Sequence, residues 1–179
     1  HRVAALEDVN NSVREAALQS IVDNGEILTE KTMQEALKRG IKVTPLLSSA
    51  IQNSGDVLIH IAQTASGKIL NELVGELRLR CYSLDEKPIQ ILLENQCYEV
   101  LGRWMQGLKS LEIDALRWEV IGNSKVDSIE RSRLLERLIG RSGEPEIAQK
   151  VREFLEHCDD DLLRIAAENL STASTELGL

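Results

Sequence analysis

The stretch VREFLEHCDDDLLRIAAENL, residues 151 to 170, sets three consecutive aspartates between two apolar stripes of helical period. Three readings compete for that acidic knot: a metal site, a catalytic group, or the turn between two packed helices. The stripes decide it. Between Pro145 and Cys158, the residues Ile147, Val151, Phe154, Leu155 and Cys158 fall within roughly a 100° arc, the width of a core-facing side. After the aspartates, Leu162, Leu163, Ala166, Ala167, Leu170 and Ala173 share one side, with alanines small enough for close helix approach. Two amphipathic helices joined by so short a link pack antiparallel, because neither buries its stripe alone. Asp159, Asp160 and Asp161 then stand at a helix N-terminus, where backbone N–H groups and the positive dipole end favour carboxylates. The triplet lacks the glycine and terminal glutamate of a calcium loop, and a metal would need further ligands from elsewhere.

The rest of the chain repeats this grammar. Helix start and stop signals recur every 10 to 20 residues. Asn11 or Ser12 is expected to cap a helix reaching about Asp23, with Ser12 and Glu15 at capping-box spacing and Gly25 past its end. Thr29 caps a second that stops at Gly40, Thr44 with Pro45 opens a third, and Asp56 a fourth. A longer helix is predicted over 67–82, and another starts at Pro88 and continues or bends through Asn95 toward Gly107. Helices over 110–121, 127–141, 144–157 and 160–172 complete the set. Strand alternation is absent almost everywhere, so the fold class is all-α.

Composition agrees. A chain of 179 residues suits one domain or one compact repeat array, here taken as a single unit over 1–179. With 42% hydrophobic, 28% charged and three prolines it is ordered, and 3% aromatics leave the core to Leu, Ile, Val and Ala. The net charge of -8 is uneven: residues 85–122 carry four positive and seven negative side chains, and 123–179 eight and twelve. Phosphate neutralisation needs a basic face, so nucleic acid is not an expected partner, although Arg78 and Arg80 form a small basic patch. Cys81, Cys97 and Cys158 are odd in number without a C-x-x-C pair, which points to core thiols in a reducing, cytoplasmic setting. No apolar run approaches membrane-span length. The chain begins with His1 and not Met, so a segment of a longer protein is expected.

Aligning Arg14 on Arg164 brings two segments into register 150 residues apart. Leu163-Arg164 and Ala167 then fall on Val13-Arg14 and Ala17, and Leu155, Asp159 and Leu170 lie within one position of Leu6, Asp8 and Ile21. This resembles the HEAT-repeat (armadillo-like) family, whose units are helix hairpins with an aspartate in the turn and a Val-Arg or Leu-Arg pair opening the second helix. The resemblance covers about 45 residues in these two segments and is weaker between them. Taking Val13, Ile59, Ile89, Ile129 and Leu163 as equivalents gives spacings of 46, 30, 40 and 34, in keeping with degenerate repeats of ~30 to 47 residues or with an irregular helical bundle. The middle copies lack the family's arginine at the expected place. The resemblance implies a right-handed α-solenoid of about five degenerate hairpins, with the aspartate capping each second helix and the arginine bracing it.

Catalytic fingerprints are missing. There is no G-x-S-x-G, phosphate-binding glycine loop or dinucleotide motif, so no cofactor is expected. His1, His60 and His157 form no local ligand set, and Cys97 as a nucleophile would need a paired base. The stretch 102–122 holds both tryptophans of the chain. Trp104 and Trp118 either fill wide gaps in the core or line a binding surface together with Arg103, Met105 and Arg117, the residue types enriched at interaction hot spots. Those five are the first candidate for a partner-binding patch. The expected function is a non-catalytic protein-interaction scaffold, its partner another protein or a neighbouring domain. The enzymatic alternative comes from HEAT-like DNA glycosylases, to which Trp104, Asp114, Arg117 and Trp118 are similar in kind though not in spacing, and from HEAT-like bilin lyases. Finally, Val3, Ala4 and Leu6 are expected to form an apolar edge that preceding chain or a second subunit would cover.

Overall fold

Side-chain caps set many of the helix starts, and left-handed residues set several of the stops. The computed structural model describes residues 2–26 and 28–176, and its regular structure there is helical. In order these are α1 (Arg2–Ala5), α2 (Asn11–Asp23), α3 (Glu30–Lys38), α4 (Thr44–Asn53), α5 (Gly55–Thr64), α6 (Gly67–Arg80), α7 (Lys87–Glu94), α8 (Tyr98–Met105), α9 (Leu111–Gly122), α10 (Ser128–Glu136), α11 (Pro145–His157) and α12 (Asp161–Glu176), with a 3-10 turn over Ile139–Arg141. The hydroxyl oxygens of Thr29 and Ser110 and the carboxylate of Asp127 accept backbone N–H bonds at the starts of α3, α9 and α10, as their sequence positions predict.

The stops follow equally local rules. Gly25 and Gly40 adopt φ of 63° and 82°, and the amide after each bonds back to a carbonyl five residues earlier, closing α2 and α3. Gln96 takes the same role after α7 with φ 55°, and the Cys97 amide reaches the Leu92 carbonyl at 2.9 Å. Of the two courses open to the stretch from Pro88 to Gly107, the chain therefore breaks rather than continues.

By packing, the chain divides into two compact units, His1–Trp104 and Met105–Leu179. In the first, α1 packs on α2, α2 on α4, α4 on α5 and α6, and α5 on α7. Its core is aliphatic: Ile21, Met33, Leu47, Leu58, Leu73 and Leu77 are fully buried. In the second, α10 packs on both α9 and α12, and α11 lies on α12. Leu134, Leu135, Val151, Leu163, Ala167 and Leu170 fill its centre. In each unit the main packing joins a helix to its neighbour or next-but-one neighbour, and Ser66 before α6 also donates to Glu30 at the start of α3 at 2.6 Å.

Several details depart from the sequence expectation: Thr44 is the first residue of α4 and makes no capping bond, α5 starts at Gly55 one residue before Asp56, and the helix expected over 127–141 ends at Glu136 before the 3-10 turn. The cap of α2 is Asn10, not Asn11 or Ser12, because Asp8 accepts the Asn10 amide and turns its side chain onto the Ser12 amide. Asn11, not Ser12, reaches Glu15. At the N-terminal edge Leu6 is buried by the chain itself through the turn that folds α1 onto α2, which leaves Val3 and Ala4 exposed. On α12, Leu162 points outward while Leu163 is buried, since consecutive helical residues lie 100° apart and only one can face the core. His1 lies outside the described residues.

The arginine braces are more regular than the sequence suggested. Arg14 donates to the Asp8 carbonyl at 2.8 Å and Arg164 to the Cys158 carbonyl at 2.7 Å, six residues back in each case. Arg14 also reaches the carbonyl of Arg39, while Arg39 donates to that of Glu7, tying α3's end to the first turn. Arg131 occupies the same place four residues after its cap, Asp127, and donates to the Ile121 carbonyl at 2.6 Å. Of the middle copies, only the one opened by Asp127 has such an arginine; four residues after Ser54 and Glu86, the caps of α5 and α7, stand Leu58 and Gln90, so those two lack it as expected. The acceptor of Arg131 lies ten residues back rather than six, and the residue after Ile129 is Glu130, which hides the match in the sequence.

The aspartate triplet resolves in the same terms. Asp160 accepts the amides of Leu162 at 3.0 Å and Leu163 at 3.2 Å, and its second oxygen takes the hydroxyl of Ser128 from α10. The Ser128 hydroxyl, then the Leu163 amide, hold its carboxyl below the usual range. Asp159, which the repeat alignment marks as the turn residue, is exposed. Asp160→Ala is therefore expected to lower the thermal unfolding midpoint measured by circular dichroism, and Asp159→Ala to leave it unchanged; equal midpoints for the two variants would contradict the assignment.

Candidate functional site

The second unit is braced at its α9 end by a network of charges. Arg117 turns inward from α9 with its side chain 3% accessible, donating to Asp114 one turn earlier and to the Met105 carbonyl at 3.0 Å. Arg141, at the end of the 3-10 turn, grips the same Asp114 with both terminal nitrogens at 2.8 and 2.9 Å. It also donates to Glu144 at 3.0 and 2.7 Å and to the Leu108 carbonyl at 3.3 Å. Lys109 meets the other oxygen of Glu144 at 2.6 Å. The planar guanidinium fork matches a carboxylate two bonds at a time, which fixes the approach of the two elements as well as their charge.

Burial alone would push the Asp114 carboxyl up, but the hydrogen bonds and charges of Arg141 and Arg117 outweigh it and leave it below its ordinary value. Glu144 is lowered to about 2, chiefly by the Arg141 bonds and then by Lys109. Burial pulls Arg117 down against the opposing pull of Asp114, and it stays a cation. Arg141 is raised by its bonds to Asp114 and Glu144. Each of these groups is stabilised in its charged form by a neighbour.

Beside this network, α9 and α11 leave a groove of about 400 Å³. Its wall on α9 is Leu111, Ala115 and Trp118, at the i, i+4, i+7 positions of one face, and its wall on α11 includes Ile147 and Lys150. Trp118 is half-buried and set against Phe154 of α11, with ring centroids 6.5 Å apart at 45°. Leu111 is 77% exposed. An exposed leucine thus stands on the same face of α9 as a half-buried tryptophan.

The five residues singled out from the sequence do not form one face. Trp104 is fully buried, and its indole N–H donates to the Cys81 carbonyl at 3.1 Å. Met105 and Arg117 are buried as well. Arg103 is half-buried, bound to Glu99 at 2.6 Å and to Asn71 at 2.9 Å in the first unit. Only Trp118 opens onto the groove. Helical phase explains the split: Trp104 lies four residues after the buried Val100, on the core stripe of α8, whereas Trp118 lies 100° round from the buried Arg117. Leu111 escaped the sequence reading and Ile147 was read only as core, because an exposed leucine and a buried isoleucine carry no local mark of a shared groove.

Other chemistry-bearing residues have ordinary settings. Burial pushes the Cys81 thiol up to about 11 and raises that of Cys97, while Cys158 is buried too. His157 is exposed at the end of α11, its Nδ1 3.1 Å from the Glu153 carbonyl. A hollow of about 320 Å³ at the start of α6 is flanked by Lys38 and Lys68, whose ammonium groups lie 2.9 Å from Glu35 and 3.6 Å from Glu72. Among the described residues no group of three or more His, Cys, Asp or Glu is placed to hold a metal ion, and no helix is long and apolar enough to cross a membrane. Comparison with protein-family models, with curated proteins and with solved structures returned no match for this chain.

Proposed function

We propose that this chain is a non-catalytic protein-interaction scaffold whose docking site is the groove between α9 and α11. The observation that carries the reading is the pairing of Leu111 at 77% exposure with a half-buried Trp118 in a groove braced by Arg117, Asp114 and Arg141. Binding energy concentrates in rigid aromatic anchors, and a frame locked by bidentate ion pairs costs little ordering when a partner arrives. The hairpins are proposed to be degenerate HEAT-like, armadillo-like repeats, about five in number, belonging to a right-handed α-solenoid. Supporting this are the next-but-one packing of α2 on α4, α4 on α6, α5 on α7 and α10 on α12, and the arginine braces four residues after Asn10, Asp127 and Asp160. Three buried free cysteines suit a cytoplasmic setting. Partners are proteins or an adjacent domain, bound without a cofactor.

Leu111→Ser tests the reading with little risk to the fold. Proteins captured from the cells of origin by the immobilised chain should be lost from the variant, and duplex DNA should not be retarded at moderate salt. Identical captures by the two chains, or salt-sensitive DNA retardation that weakens on Arg103→Ala, would overturn it in favour of the nucleic-acid enzyme.

A further inference from the structure

The charges around the groove are not balanced. Asp114 is consumed by Arg117 and Arg141, and Lys150, which also lines the groove, is paired with Glu153 at 3.0 Å. Glu112, Glu119 and Glu146 remain: each is exposed, and none makes a hydrogen bond or ion pair among the described residues. Their placement is systematic. Glu112 and Glu119 stand three residues before and four after Ala115, so both border the lining face of α9, about 40° to 60° beyond Ala115 around the helix. Glu146 lines the groove from the first turn of α11. The groove thus has an apolar floor of Leu111, Ala115, Trp118 and Ile147 and a lip bearing three unpaired carboxylates.

Resting on the scaffold reading above, we propose that this groove receives a basic amphipathic helix of a protein partner. The partner's apolar face would lie on Leu111 and Trp118, and its flanking Lys or Arg side chains would meet Glu112, Glu119 and Glu146. The lining residues of α9 extend over seven positions, a rise of about 10 Å, so the partner supplies about two turns with anchors at i, i+4 and i+7. A cleft between two helices takes a helix into its groove, whereas strand addition needs a free sheet edge. The charge of residues 105–179, ten positive against fifteen negative, adds a long-range attraction for a basic segment and repels phosphate-bearing surfaces. Unpaired carboxylates on the lip need break no existing ion pair to meet a partner, so complementary charge raises the association rate and sets the orientation.

A display library of helical peptides, with randomised charge on its polar face, can be selected on the immobilised chain and the winners titrated by calorimetry. The expected result is enrichment of Lys- and Arg-rich amphipathic helices. Their affinity should fall about ten-fold or more in the combined variant Glu112→Lys, Glu119→Lys, Glu146→Lys, and likewise in Leu111→Ser, and should weaken with added salt. All four substituted positions are exposed, and unchanged circular dichroism melting confirms that the variants fold. Winners that are neutral or acidic, lost to Leu111→Ser yet indifferent to the charge reversals, would overturn the basic-partner proposal and leave the scaffold reading standing. Winners indifferent to Leu111→Ser, or no winners at all, would overturn both.

Discussion

Replacing Asp114 by alanine is expected to destabilise the chain by on the order of 3 kcal/mol, a large fraction of the stability of a domain this size. The cost arises from what is left behind. Arg117 stays 3% accessible with its charge intact and loses its carboxylate, while Arg141 loses both bonds that hold it to α9. Stranding a buried charge costs far more than deleting an exposed pair such as Lys38 with Glu35, where removing the carboxylate should leave stability almost unchanged. Chemical denaturation of the two variants side by side measures the contrast. Equal small losses would mean that the network is decoration.

The same residues set the acid limb of stability. Asp114 and Glu144 have folded-state values below the ordinary unfolded ones of roughly 4, with Glu144 at about 2. Between those limits the unfolded chain binds more protons than the folded one, so stability rises with pH there and is complete above about 5. It is lost as pH falls from about 4 toward 2. In Asp114→Ala part of that slope disappears, so the variant's unfolding midpoint should vary less across this window than the wild type's.

Trp104→Ala is the second large effect, expected at about 3–5 kcal/mol. The ring is the largest fully buried side chain among the described residues, and its removal leaves a cavity and an unpaired Cys81 carbonyl. Trp104→Phe separates the two contributions, since it keeps most of the volume and loses the indole N–H, which should cost about 1 kcal/mol for the hydrogen bond beyond any loss of packing. A loss below about 1 kcal/mol for the alanine variant would contradict the interior placement.

These two predictions also mark the boundary of what the sequence could disclose. Local features were legible: the cap at Thr29, the helix starts at Ser110 and Asp127, and the stripe of Ile147, Val151 and Cys158 that faces inward. They are legible because a helix's start and its apolar face are determined by residues within a turn or two. Errors of one position at Asn10 and Asp160 come from turns in which adjacent polar residues compete for the same amides. The network joining Asp114 to Arg141 spans 27 residues, and no periodicity links its members. The groove escaped for the same reason. Trp104 and Trp118 look alike in a composition table, and only their phase against buried neighbours assigns one to the core and the other to a surface hollow.

That division of the tryptophans allows the docking claim to be tested on the wild-type chain. The two rings are its only tryptophans, one fully buried and one half-buried against Phe154. Acrylamide quenching of the free chain should resolve a shielded and an accessible component. On saturation with a basic helical peptide selected on the chain, the accessible component should become shielded and its emission shift to the blue, leaving the other unchanged. Quenching that stays the same at full occupancy would place the peptide elsewhere and contradict the groove between α9 and α11 as the docking site.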